Sequence, residues 1–94
     1  MYIIDHVSLD QTGRIVIRNY FEGSVPSMVG IAYEPKNREI IIKSYDPNDG
    51  FLPRKVDSKK RISVPKWLAA IMKNQTYLIR DEQGNRKILI FDSL

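Results

Sequence analysis

The chain has 94 residues and no cysteine, with 43% apolar and 28% charged residues, a formal net charge of +4 and a pI near 9.5. That length gives one modest domain able to bury roughly 60–70% of its unfolded surface. It excludes a disulfide framework and thiolate metal sites, so a reducing cytoplasm is the expected setting. The N-terminal MYIIDHVSLD has neither a basic leader nor a sustained apolar run, and no segment is long and apolar enough to span a bilayer. The charge is unevenly spread: residues 1–47 hold five basic and six acidic side chains, residues 48–94 ten and five. A balance of −1 against +5 points the second half toward an anionic partner.

In chain order, Tyr2 to Leu9 reads as a strand, and Asp10-Gln11-Thr12-Gly13 as a polar turn in which Gly13 can take a positive φ. Arg14 to Arg18 returns as a strand, and Asn19 caps a short helical turn carrying Tyr20 and Phe21. Val29–Tyr33 and Glu39–Tyr45 form a hairpin around Glu34-Pro35-Lys36-Asn37-Arg38. The breaker Asp46-Pro47-Asn48-Asp49-Gly50 is the best internal boundary. A short strand then leads into a polar loop, a second strand follows, and a helix starts at Pro65, which suits a first helical position. Trp67, Leu68, Ile71 and Met72 are expected on its buried face. A final hairpin turns between Asp81 and Asn85.

The second half repeats the first. At an offset of 47, Asp10 falls on Asp57, Arg14 on Arg61, Ile15 on Ile62, Ile17 on Val64, Tyr20 on Trp67 and Phe21 on Leu68. After one extra loop residue, Glu39–Ile42 falls on Lys87–Ile90. Two units, 1–46 and 51–94, joined by the linker 46–50, are therefore expected. Units of about 45 residues can hardly bury their own apolar faces, so the copies complete each other's core as an intrachain pseudo-dimer.

Five of the eight residues from Arg54 to Arg61 are basic (Arg54, Lys55, Lys59, Lys60, Arg61), against the single acid Asp57. A cationic loop held between two strands suits a polyanion, because each neutralised phosphate releases condensed counterions. Arginine can also read guanine bidentately, which makes Arg54 and Arg61 the candidates for base contacts and the lysines the candidates for positioning. Asp10 and Asp57 are expected to brace the arginine four residues on, or to cap the loop as Asx turns.

Arg54-Lys55-Val56-Asp57, a short polar loop, and Arg61-Ile62-Ser63-Val64-Pro65-Lys66 resemble the signature of the AbrB-type (SpoVT/AbrB, swapped-hairpin) DNA-binding domain. The doubled Asp-x-x-x-Arg at Asp10/Arg14 and Asp57/Arg61 is similar to the doubled motif of MraZ-type proteins. The resemblance implies a mainly β fold with short helices: a swapped-hairpin β-barrel, normally built from two chains, here made by two tandem ββαββ-like halves. It also implies a bacterial or phage transcription regulator binding double-stranded DNA, with Arg54, Arg61, Lys55 and Lys66 matching its DNA-binding positions; on charge alone Lys59, Lys60, Arg14 and Arg18 join them as expected phosphate contacts. Further partners would be other pseudo-dimers or another AbrB-like protein. The sequence departs from the signature at Lys60, where a loop glycine is usual; Gly13 keeps it in the first copy.

Catalysis is not expected. There is no nucleophile–base motif, no phosphate-cradling glycine loop and no metal-ligand spacing, and His6 is the only histidine, so no cofactor or metal is anticipated. The alternative function is a protein-interaction module, an antitoxin-like partner or antagonist of an AbrB-type regulator with no DNA specificity of its own.

Overall fold

The computed structural model of the chain describes residues 2–17, 21, 24–72, 76–82 and 86–91. These form eight strands and one helix: β1 Tyr2–Ser8, β2 Arg14–Val16, β3 Met28–Glu34, β4 Glu39–Ser44, β5 Leu52–Lys55, β6 Arg61–Ser63, α1 Lys66–Met72, β7 Thr76–Glu82 and β8 Arg86–Phe91. The fold is thus mainly β with a short helix. The short helical turn expected around Tyr20 lies outside the described residues, as does the hairpin turn between Asp81 and Asn85 apart from its flanking strand ends.

Six strands make one antiparallel sheet in the order β1-β7-β8-β4-β3-β5, and β2 pairs with β6 in a separate antiparallel ladder. The pairings largely cross between the halves. The first strand of the chain, β1, lies on β7, with Val7 opposite Tyr77 and Ser8 opposite Thr76. The first strand of the second half, β5, lies on β3, with Arg54 opposite Val29 and Lys55 opposite Met28. Moving the first-half residues by 47 or 48 positions turns one register into the other (Ser8 to Lys55, Met28 to Thr76). At the sheet centre β4 pairs with β8, Ile40 opposite Leu89 and Ile41 opposite Ile88. Both edge strands, β1 and β5, continue through a loop into the β2–β6 ladder.

That ladder is three residues long: Arg14 faces Ser63, Ile15 faces Ile62 and Val16 faces Arg61. Two flanking hydrogen bonds extend it, the Ile17 N–H donating to the Lys60 carbonyl at 2.8 Å and the Val64 N–H to the Gly13 carbonyl at 3.0 Å. Strand alternation sends Ile15 and Ile62 inward, each about 1% exposed, and leaves Arg14, Val16, Arg61 and Ser63 on the outer face. The inward pair joins Ile17, Phe21, Val29, Ile31, Ile40, Ile42, Val64, Leu68, Met72 and Leu89 in one core.

The helix departs from the expected orientation. Leu68 and Met72 are buried, four residues apart on one stripe, whereas Trp67 is 55% exposed. Successive helical positions are about 100° apart, and the buried stripe runs through Leu68 and Met72, which leaves Trp67 at the rim of the packed face. Trp67 instead lies edge-on to Tyr33, ring centroids 6.4 Å apart.

The linker between the halves is tightly organised. The Asp46 carboxylate accepts from the Asn48 N–H at 2.9 Å, Asp49 is ion-paired with Lys43, and the Lys43 ammonium sits 5.3 Å from the Phe51 ring centroid. Phe51 presses on β3 where Gly30 leaves room: a Cβ on Gly30 would lie 2.8 Å from the Phe51 Cβ. Gly30→Ala should therefore cost roughly 1–3 kcal/mol through overpacking. Urea unfolding measures this, and an unchanged midpoint would show that Phe51 does not hold the linker against β3.

Candidate nucleic-acid interface

The two polar turns are built alike. Each is a three-residue hairpin loop, a β-turn followed by one residue in the left-handed region. In the first, the Asp10 N–H donates to the Arg14 carbonyl at 2.9 Å, the Gly13 N–H to the Asp10 carbonyl at 3.1 Å, and Gly13 has φ +76°. In the second, Asp57 donates to Arg61 at 3.0 Å, Lys60 to Asp57 at 3.0 Å, and Lys60 has φ +61°.

The aspartates nucleate both loops. Asp10 Oδ1 accepts from the N–H groups of Thr12 (2.8 Å) and Arg14 (3.0 Å) and from the Thr12 hydroxyl (2.7 Å). Asp57 Oδ1 accepts from the N–H groups of Lys59 (2.9 Å) and Arg61 (2.8 Å). Asp57 Oδ2 also takes the Arg61 Nε–H at 2.9 Å, and Arg61 Nη1 stands 3.8 Å from Asp10 Oδ2. So the aspartates act both as loop caps and, at Arg61, as an arginine brace. Arg61 is clamped between the two carboxylates. The Arg14 guanidinium makes no ion pair with a described residue, although the Arg14 N–H is held by Asp10.

The expected cations separate into groups. Arg14, Lys55 and Arg61 line one open concavity of about 290 Å³, together with Val56, Asp57 and Ser63. Lys59 and Lys60 are exposed on the adjoining loop, and Lys66 is exposed at the start of the helix. Arg54 is not part of the concavity. It is half-buried on the edge strand β5, and its Nε is buried without an acceptor. Adjacent strand residues point to opposite faces, so Arg54 and Lys55 cannot both reach the same surface. Arg18 lies outside the described residues.

Ser63 was not among the expected interface residues. Its signal was the alternation Arg61-Ile62-Ser63-Val64, which puts it on the same face as Arg61. Val16, opposite Arg61 and 43% exposed, belongs to that face too. A two-stranded ribbon presenting arginines, a hydroxyl and a branched methyl group is narrow enough for a DNA major groove, where guanine acceptors and the thymine methyl are displayed.

Comparison with protein-family models, with curated proteins and with solved structures gives no match. Among the described residues, no group of three or more His, Cys, Asp or Glu side chains is placed to hold a metal ion, and no helix is long and apolar enough to cross a membrane.

Hydrogen bonding holds both loop carboxylates below their ordinary value of 3.8. At Asp57 the largest cause is the Arg61 N–H, and at Asp10 the Arg14 N–H followed by the Thr12 hydroxyl. A lowered folded-state pKa contributes stability above the unfolded value, and that contribution disappears as pH falls through the folded value. Tm should therefore fall as the pH drops below about 4. Asp10→Asn with Asp57→Asn keeps the Oδ1 acceptors and removes the titration. This double variant should lose less Tm between neutral pH and pH 3 than the parent. Equal losses would mean that the two loops do not govern acid stability.

Proposed function

We propose that this protein binds double-stranded DNA as a single-chain regulator of the AbrB type. The observation that carries the reading is the convergence of Arg14, Lys55 and Arg61 on one concavity beside the Lys59–Lys60 loop, with the ribbon's outer face as its floor. Phosphates take the exposed lysines, which are long, mobile point charges. In this reading Arg61 reads base edges, since a planar fork restrained by a carboxylate loses little freedom on binding, and Arg14 reaches the same groove from the facing strand.

The swapped-hairpin reading of the fold draws support from the registers. β1 lies on the hairpin β7–β8, β5 lies on the hairpin β3–β4, and β2–β6 and β4–β8 pair across the halves. A duplicated half that exchanges its first strand with its twin accounts for all four pairings at once. The β2–β6 ladder, reached from both sheet edges, would close the barrel. In this reading one chain does the work of a dimer, and residues 1–46 and 51–94 are its two protomer-like units.

The test is titration of a labelled 20-base-pair duplex between 50 and 200 mM salt, followed by anisotropy. With about five phosphate contacts the log–log slope should be near −4.5. A selected duplex should bind at least about 10³-fold more tightly than random sequence if the protein reads bases. No binding at micromolar protein in 50 mM salt would refute DNA binding, and a salt slope with no selectable sequence would refute a sequence-specific regulator.

A further inference from the structure

We infer that the protein grips DNA from one side only: the second-half loop and Lys55, joined by Arg14 from the first half, form a single phosphate-binding edge, so the chain sits on a non-palindromic site in one orientation. This rests on the DNA-binding reading and adds the polarity of the site.

The backbone gives no reason for polarity. The two loops share the same hydrogen bonds at an offset of 47: the Asp N–H donates to the arginine carbonyl, the last turn residue's N–H to the Asp carbonyl, and Asp Oδ1 accepts from the N–H groups two and four residues on. The ladder between them reads the same from either strand, with Ile15 and Ile62 facing one another at its centre. Such a frame would present one chemistry twice. The side chains break the symmetry. Lys59 and Lys60 occupy the loop positions held by Thr12 and Gly13, and Lys55 corresponds to Ser8.

Two observations show the direction of the break. Arg14 crosses the ladder from the first half to line the concavity of the second, beside Lys55, Asp57 and Arg61. On the ribbon face, exposed Val16 occupies the place that Ser63 holds on the other side. Arg14 thus joins Lys55 and Arg61 around the second-half loop, while the tip of the first loop, Gln11-Thr12-Gly13, carries no cation.

Lys60 gives a third observation. It adopts φ +61°, a backbone conformation that glycine takes freely and that side chains rarely adopt, at the position where the first loop has Gly13 at φ +76°. The matching loop demonstrates that glycine fits this geometry. The second loop carries an ammonium group where the backbone favours no side chain, which assigns Lys60 to contact rather than to folding.

The test installs the residues of the first loop in the second. Lys59→Thr with Lys60→Gly turns Asp-Ser-Lys-Lys into Asp-Ser-Thr-Gly, which differs from the first loop's Asp-Gln-Thr-Gly at one residue, so the fold is kept, and Tm should be unchanged or raised. Duplex binding should weaken roughly tenfold to thirtyfold at 150 mM salt, with the slope shallower by about 1.8, two phosphate contacts' worth. Thr12→Lys should leave the slope within about 0.3 of the parent, because that loop does not meet phosphate. If the parent binds with a salt slope but the double variant keeps that slope, or if Thr12→Lys steepens it by about 0.9, the one-sided grip is wrong while DNA binding stands. A parent that shows no salt-dependent binding overturns the DNA reading itself.

Discussion

The structure depends on the crossing of two very short strands. Neither Arg14–Val16 nor Arg61–Ser63 could persist alone, because an isolated two-stranded ladder of three residues is marginal in water. What holds them is the burial of Ile15 against Ile62, extended by Ile17 and Val64, beneath a ladder whose ends are tied by the Ile17 and Val64 amides. Each of these isoleucines contributes on the order of 1.5–3 kcal/mol of burial. The crossing also fixes the position of everything that carries charge. The aspartate loops begin where the ladder ends, so the distance between the two arginines is set by three pairs of residues.

Charge and backbone play opposite roles around that crossing. The aspartates reduce the positive field they sit in, yet without them the loop amides of residues 12, 14, 59 and 61 would lack their acceptors. Asp57 and Asp10 therefore trade some attraction for order, holding Arg61 in one direction while the lysines remain free. The sheet edge is protected by related means. On β5, Pro53 removes a backbone donor and Lys55 adds exposed charge, both of which discourage another strand from pairing there.

Much of this was legible in the chain. The alternation of apolar residues located β1 to β4 within a residue or two, and the turn residues located the breaks between them. The 47-residue offset led to the expectation of a core shared by both halves; that equivalent positions such as Ile15 and Ile62 face each other across the ladder was not part of it. Sequence reasoning ran out where orientation is decided by three-dimensional packing. Trp67 has the largest apolar surface in its helix, yet the helix has seven residues and can bury one stripe, which Leu68 and Met72 occupy. Arg54 and Lys55 look equivalent in a basic run, but on a strand one of them must face away. The convergence of Arg14 on the second half's concavity depends on a pairing between strands 47 residues apart, and no local pattern encodes it.

The central claim is that the halves hold one another in place through the ladder, so neither opens without the other. Native-state hydrogen exchange on the intact chain tests this directly. The amides of Ile17 and Val64 should exchange through the same opening as those in β3 and β4, with one free energy close to that of global unfolding. Exchange of Ile17 and Val64 through a low-energy local opening while β3 and β4 stay protected, or two separate opening energies for residues 1–46 and 51–94, would contradict it.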